Sequence, residues 1–353
     1  TNHNLLTRDG GSAKTAMAVR GITYDDFVRR QSRAVDQSLL WDRAGTPRGK
    51  VMGYPWGQGQ YRVRFPLNLD PDLPDGAGVF LNEWIFEPSY ASAKQQGCTM
   101  DGMYLDSYGA VAGLLNLRKE HFAVADIPLT FDQRSRRPAL VNDFSAFEWL
   151  TWLTDRMHKR KQLLLTNYYS KTMFFNLIHW DAIGSEGYRR EDMRSRTLCY
   201  RKPFGDLAYN QKPKAITRFW WREYLLYATF PGQELREREA FREVGALVKR
   251  EMAAGWEPVT YARCASPGIH IERYGRVADG NLHLAVQNTT DAPIACVLAL
   301  DPDLGLTDRE VAWDLLNDRS CQVARASKGT AIRLRLLPGE TTLLMVATPT
   351  DLA

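Results

Sequence analysis

The sequence predicts an α/β fold: a (β/α)8 TIM barrel followed by a small antiparallel β-sandwich. Three observations carry this. Between about residues 60 and 260, short apolar runs alternate with helical segments, the pattern of parallel strands joined by helices. Each run stops abruptly in polar, aromatic or glycine residues, as strands do where they leave a barrel core. Beyond Pro267 the texture changes to alternating apolar and polar residues separated by turns such as Asp279-Gly280-Asn281 and Pro338-Gly339. The predicted division is a barrel over 1–266 and a sandwich over 267–353.

Taken in order, Asp25 to Trp41 carries apolar residues at helical spacing. Tyr61 to Leu69 alternates and is expected to be the third barrel strand. Met103 to Asp106 is the fourth, followed by a long loop from Lys119 to Pro138. A helix from Phe144 to Met157 has Asp143 or Ser145 available as its N-cap. Three apolar runs supply the next strands: Gln162–Thr166, Phe174–Ile183, and Thr197–Tyr200 leading into Pro203-Phe204-Gly205-Asp206. An aromatic-rich helix over Ile216–Tyr227 leads to a last strand at Tyr227–Phe230. Arg236 to Ala254 is amphipathic and closes on Gly255 as C-cap. The sandwich strands are expected at His270–Arg276, Leu282–Gln287, Ile294–Leu300, Val311–Leu316 and within Ala331–Val346. The first one or two barrel strands have no counterpart, and the chain opens on Thr1-Asn2-His3-Asn4, so a trimmed N-terminus is expected.

Composition removes several function classes. The chain of 353 residues holds 46 basic and 41 acidic side chains, a net charge of +5, with no block of five like charges. That gives no support for a nucleic-acid or membrane partner. The basic cluster His158-Lys159-Arg160-Lys161 falls at a helix C-terminus, where cations complement the helix dipole. The five cysteines are widely spaced and odd in number, which excludes a complete disulfide framework and any CxxC metal site. The six histidines lack HxH or HExxH spacing, so no metal and no cofactor is expected. Asn288-Thr289-Thr290 is a glycosylation sequon of the kind that arises by chance.

The most informative stretch is Asp101-Gly102-Met103-Tyr104-Leu105-Asp106-Ser107-Tyr108-Gly109. A strand buried on both faces is nearly all apolar. A carboxylate at its end therefore sits where barrel active sites are built, although Asp beside Ser and Gly also starts turns. A second carboxylate follows two strands later, either Asp181 at the end of the Phe174–Ile183 run or Glu186 between Gly184 and Gly187. Glycosidic bond cleavage needs such a pair, roughly 5–5.5 Å apart when the configuration is retained and roughly 6.5–9.5 Å when it is inverted. Glu186 is preferred as acid/base because its glycines let it reach over a pocket. Trp56, Tyr108, Asn167, Tyr168, Trp180 and Asp206 are candidate substrate-binding residues, since aromatic faces and amides in loops suit sugar rings; Trp180 is equally explained as core packing. Asp126 is a weaker carboxylate candidate.

The segment Asp101–Ser107 resembles the fourth strand of retaining glycoside hydrolase barrels of the α-galactosidase and α-glucosidase type. Trp256-Glu257-Pro258-Val259 and Ile271–Gly275 resemble their passage from the last barrel helix into a C-terminal sandwich. The resemblance implies Asp106 as nucleophile and a carboxylate after strand six as acid/base, acting on a carbohydrate substrate. The lysine that α-galactosidases carry two residues before the nucleophile is Tyr104 here, so galactose specificity is not implied. A non-catalytic carbohydrate-binding protein on the same fold, and a barrel enzyme of another chemistry, remain the alternatives.

Overall fold

The computed structural model describes residues 11–53, 61–108, 113–168, 174–185, 199, 201–206, 218–230, 238–326 and 329–352. It divides into two compact units, Thr1–Asp181 and Ala182–Ala353.

The first unit opens with helices α1 (Gly11–Arg20) and α2 (Tyr24–Ser38). Thr23 and Asp26 form a reciprocal capping box that starts α2, each side chain meeting the other's backbone N–H. The buried residues Phe27, Gln31, Ala34 and Ser38 recur every three or four positions and so define one face. Strands β1 (Lys50–Gly53) and β2 (Tyr61–Arg64) form an antiparallel hairpin. This corrects the expectation of a barrel strand over Tyr61–Leu69. Arg62 and Arg64 alternate with Tyr61 and Val63, a pattern a strand covered on both faces does not hold. Leu67 instead bridges Leu39, and the chain turns at Asp70 into α3 (Ala77–Leu81). A π-helical turn (Asn82–Phe86) and α4 (Glu87–Gln95) follow.

Strand β3 (Gly102–Tyr108) comes next. The stretch predicted as a loop, Lys119–Pro138, holds a 3-10 turn (Lys119–Ala123) and a strand, and lies within a three-stranded antiparallel sheet of β4 (Leu115–Asn116), β5 (Thr130–Asp132) and β6 (Arg137–Val141). Helix α5 (Asn142–Lys159) then leads to β7 (Leu163–Tyr168), which pairs in parallel with β3. Gly102 is required at the start of β3, because a Cβ there would strike the Leu163 carbonyl. Trp149, Leu150, Leu153 and Met157 bury one face of α5, and the Trp149 indole N–H donates to the Gly78 carbonyl at 3.1 Å. The predicted cap residues of α5 serve elsewhere: Asp143 accepts the Gly113 N–H at 2.9 Å, and Ser145 donates to the Asn142 carbonyl. Arg156, His158 and Lys159 do occupy the last turn.

The second unit continues the parallel pattern with β8 (Ala182–Ser185), β9 (Phe204–Asp206) and β10 (Thr229–Phe230), in the order β8-β9-β10. Helix α6 (Arg218–Leu226) joins β9 to β10, and α7 (Arg238–Ala254) ends at Gly255 in the left-handed conformation (φ 82). Strands β9 and β10 each follow an apolar run or helix, so strand and helix alternate as in a TIM barrel. The rest is an antiparallel β domain of nine strands: β11 (Trp256–Glu257), β12 (Ala262–Cys264), β13 (Ile269–Tyr274), β14 (Leu282–Asn288), β15 (Ile294–Leu300), β16 (Val311–Asp314), β17 (Arg319–Ala326), β18 (Gly329–Leu336) and β19 (Thr341–Ala347). The fold is thus mixed α/β, a TIM-barrel-like region followed by a β-sandwich.

Alternation explains the sandwich layers. Leu282, Leu284 and Val286 of β14 face Cys296, Leu298 and Leu300 of β15 and Ile332, Leu334 and Leu336 of β18 across one apolar core. The opposite face of β14, represented by Ala285, packs with Leu343 against Tyr224, Leu225, Val244 and Val248 of α6 and α7. Because β14 is covered on both sides, every one of its residues is buried. Asn288 shares this burial, its side-chain nitrogen donating to the Ala292 and Leu337 carbonyls, so the sequon amide is engaged within the fold.

Candidate active site

Asp106 lies near the C-terminal end of β3, and the pairing there explains its orientation. Leu105 is opposite Thr166 and Tyr108 is opposite Tyr168, so Asp106 and Ser107 together oppose the single residue Asn167. This two-against-one count is a β-bulge, the device by which strands re-aim a side chain. Its effect is visible in burial. Alternation already turns Tyr104 and Asp106 out and Leu105 in, and the extra residue brings Tyr108 back to the buried side beside Leu105. Asn167, itself fully buried, donates its side-chain amide to Asp106 Oδ1 at 3.0 Å, and the Tyr104 hydroxyl lies 3.4 Å from the same oxygen. One step earlier the Thr166 hydroxyl donates to the Leu105 carbonyl at 3.1 Å, tying the two strands just before the bulge.

Beneath the bulge, Tyr108 and Trp180 form an edge-on aromatic pair, with ring centroids 4.9 Å apart and planes at 70°. Trp180 is fully buried and Tyr108 is 1% exposed. Both support the strand end from within the core and offer no face to a ligand. The core-packing alternative accounts for Trp180.

Asp181 is placed elsewhere, a correction to its reading as a strand-end carboxylate. Residues Phe174–His179 wind into a 3-10 helix, so the strand is only Ala182–Ser185 and Asp181 precedes it. Its carboxylate accepts the Leu164 N–H at 2.7 Å and pairs with His158 Nε2 at 3.0 Å, while its own N–H donates to the Leu164 carbonyl. Leu164 aligns with Met103 near the start of β3. Asp106 is opposite Asn167, three residues farther along β7, which is about 10 Å at strand rise. Asp181 therefore ties the N-terminal ends of these strands to the end of α5, and is not brought together with Asp106.

Glu186 and Trp56 lie outside the described residues, as does the side chain of Tyr168. In the second unit, Asp206 ends β9, is 4% exposed, and accepts the Tyr224 hydroxyl at 2.6 Å. Asp126 is exposed; its backbone N–H donates to Glu148 Oε1.

Sequence reasoning missed a second acidic constellation in the first unit. Asp70 is 1% exposed, and burial pushes its carboxyl above the usual carboxylate range. The neighbouring Glu148 carboxyl is pushed up to about 7, by burial first and by the nearby Asp70 carboxyl second. Glu148 Oε1 also accepts the N–H groups of Asp126 and Ile127, at 2.9 and 2.8 Å. Asp70 Oδ2 and Glu148 Oε2 are buried and accept no hydrogen bond, and two neighbouring buried carboxyls resist joint ionisation, so the pair favours holding one proton. Among the described residues, no group of three or more His, Cys, Asp or Glu is arranged to hold a metal ion, and no helix is long and apolar enough to cross a membrane.

No protein-family model matches the chain, and no curated protein matches it in sequence. Solved structures are similar in shape. One is a GH27 β-L-arabinopyranosidase from Geobacillus stearothermophilus, 12% identical, with 90% of this chain covering 71% of that one at a TM-score of 0.48. An Anoxybacillus α-amylase is 12% identical, with 81% of this chain covering 65% of that one at a TM-score of 0.46. A putative α-galactosidase from Bacteroides fragilis is 12% identical, with 73% covering 64% at a TM-score of 0.43. The chain thus spans just under two thirds of the last two.

Proposed function

We propose that this protein is a glycoside hydrolase that cleaves a glycosidic bond with retention, Asp106 acting as nucleophile and Glu186 as general acid/base. The observation that carries the reading is the pairing at the end of β3: Asp106 is exposed near the C-terminal end of the strand, and the buried Asn167 amide donates to it. A nucleophilic carboxylate must be ionised and fixed in direction, and an Asn167 N–H bond to Oδ1 serves both needs while Oδ2 attacks. Attack on the anomeric carbon forms a glycosyl ester as the leaving oxygen takes a proton from Glu186. Glu186, now a carboxylate, then deprotonates the water that hydrolyses the ester. Residues 1–266 are proposed as the catalytic region and 267–353 as an accessory module, with a carbohydrate as substrate.

The test is Asp106→Asn. This variant should lose turnover of aryl glycosides by at least about 10³-fold, as expected for removal of a covalent nucleophile, while saccharide binding persists. Normal turnover in the variant removes Asp106 from the mechanism.

A further inference from the structure

Two turns of the first unit collect arginines from distant parts of the sequence. The turn joining β5 to β6 carries Arg134 and Arg136, with Arg137 at the start of β6, and the turn from Asp42 to Gly49 carries Arg43 and Arg48. The two are fastened together. Arg43 grips the Asp132 carboxylate through two nitrogens, each at 2.6 Å, and Arg137 donates to the Arg43 carbonyl. A cavity of about 450 Å³ opens beside Arg43 and Arg48, a volume within the range of small-molecule sites. We infer that the paired turns form a distal subsite for an acidic polysaccharide, the arginines taking the carboxylates of uronic acid units. The inference rests on the proposed hydrolysis for its choice of a carbohydrate polymer, while the binding itself does not need Asp106.

Charge selects the ligand class. The turns and their flanks hold five arginines and two carboxylates, and both carboxylates are engaged inside the turns. Asp132, 1% exposed, also accepts the Ser135 N–H at 3.0 Å, and Asp42 accepts the Ala44 and Thr46 N–H groups at 2.8 and 3.2 Å. Among the described residues, Arg48, Arg134, Arg136 and Arg137 form no ion pair, and the last three are exposed. Such an uncompensated excess attracts anions, and the guanidinium fork meets a carboxylate in two parallel hydrogen bonds. The excess is modest and interrupted by acids. Duplex DNA, with a charge about every 1.7 Å, asks for a denser array. A uronic acid polymer spaces its carboxylates one to a ring, with neutral hydroxyls between.

Topology puts the subsite on the catalytic side. Asp106 lies near the C-terminal end of β3, and the sheet of β4, β6 and β5 belongs to the connection from β3 to α5. It is therefore the loop region of the proposed nucleophile strand, and such loops gather on the edge where barrel chemistry occurs. Arg137 stands four residues before Val141, which ends β6, about 14 Å away at strand rise. The tip is thus a remote contact for a chain and not a ligand to the cleaved bond. Phe131 adds an apolar surface: it pairs with Pro138 and is 66% exposed, leaving its ring open to the C–H side of a sugar. The next pair, Asp132 and Arg137, points the opposite way by alternation, toward the Arg43 turn. The tip is held by the Arg136 N–H, which donates to the Asp132 carbonyl at 2.7 Å with Arg136 in the left-handed region (φ 53).

The experiment titrates the full chain with polygalacturonate and alginate as acidic probes and dextran as the neutral one, at about 0.15 M ionic strength. Single-stranded DNA and phosphatidylserine vesicles serve as other polyanions. At least one acidic polysaccharide should bind saturably, and at least about tenfold more tightly than dextran, DNA or vesicles. Arg134→Gln/Arg136→Asn should weaken that binding at least about tenfold, asparagine being chosen because it tolerates the left-handed backbone. Arg134→Gln alone should weaken it at least about threefold. Arg333→Gln/Arg335→Gln, which removes the same charge from exposed positions of β18, should bind within about twofold of the parent. The inference is overturned if neither acidic polysaccharide binds, if DNA or vesicles bind as tightly, if either patch variant falls short of its loss, or if the β18 variant loses as much. Turnover of Asp106→Asn is measured in parallel. Binding at the patch with normal turnover in that variant refutes the catalytic proposal alone, and lost turnover without polysaccharide binding refutes this one alone.

Discussion

Replacing Glu148 by Gln should flatten one component of the pH dependence of stability. Glu148 ordinarily titrates near 4.5, and in the folded protein its carboxyl is pushed up to about 7, by burial first and by Asp70 second. The folded state therefore binds more protons than the unfolded state between those values. Stability then falls as pH rises through this window, since its slope follows the protons bound by the unfolded state minus those bound by the folded state. The full shift corresponds to about 3 kcal/mol at 1.36 kcal/mol per unit, an upper figure that belongs to the Asp70–Glu148 pair together. The introduced glutamine would donate its amide to Asp70 while its oxygen still accepts the Asp126 and Ile127 N–H groups, mimicking the protonated acid at every pH. Asp72 and Asp126 add negative charge facing Asp70, which reinforces the need for the proton.

His121 acts in the opposite sense. It is fully buried between the Asn116 amide and the Gln37 carbonyl, and burial lowers it to about 4, so its stabilisation grows as pH rises toward its ordinary 6.5. The parent protein alone could show a flat profile for this reason. The decisive quantity is the difference between parent and E148Q in urea unfolding at about pH 5 and about pH 8. It should be near zero at the lower pH, and at the higher pH E148Q should be more stable by about 1–3 kcal/mol. A difference that changes by less than about 0.5 kcal/mol between the two would refute the shared proton, because a one-unit shift already gives 1.36.

Glu186→Gln should impair substrates with poor leaving groups far more than activated aryl glycosides, and azide should partly restore turnover of the latter; equal losses without an azide effect would remove Glu186 from the acid/base role. Asn167→Ala should lower kcat by about 10–100-fold with little change in KM, the signature of lost transition-state positioning, and an unaltered kcat would make the Asp106 contact incidental. Asp181→Asn should leave kcat/KM within about twofold and cost less than about 1 kcal/mol in unfolding, since His158 is half exposed and Asn still accepts the Leu164 N–H. A large loss of activity there would show that Asp181 reaches the chemistry after all.

The contrast between Asp106 and Asp181 shows what local pattern can and cannot say. Asp106 is legible because an apolar run ends on a charge. The amide that holds it is not, since the Asn167 bond and the bulge exist only in the pairing with β7, where Asn167 meets two residues instead of one. The helices α2 and α7, the C-cap Gly255 and most sandwich strands are equally visible, because capping, helical spacing and alternation all agree. Strand β17 escapes a sequence reading, as Arg319–Ala326 carries a charge or polar group at nearly every outward position and only weak apolar alternation. The Asp70–Glu148 pair joins a turn to a helix far along the chain and leaves no local trace.

For Asp181 the error is one of strand boundary. The run Phe174–Ile183 is apolar throughout most of its length, broken at His179 and Asp181, and a continuous strand over it would put Asp181 at the active end. Aromatic and branched residues fill a 3-10 turn against α5 equally well: Phe175 packs on Phe144 and Phe147, and the His179 ring sits edge-on to Phe147. Once those six residues are helical, the strand begins at Ala182 and the same carboxylate falls at the opposite edge. In a parallel sheet the two edges have different work, chemistry at the C-terminal ends and stability at the N-terminal ends. A carboxylate beside an apolar run is therefore a catalytic candidate only when the direction and the first residue of the strand are known, and the contacts of Asp181 with Leu164 and His158 put it at the N-terminal edge, where a stabilising role is expected.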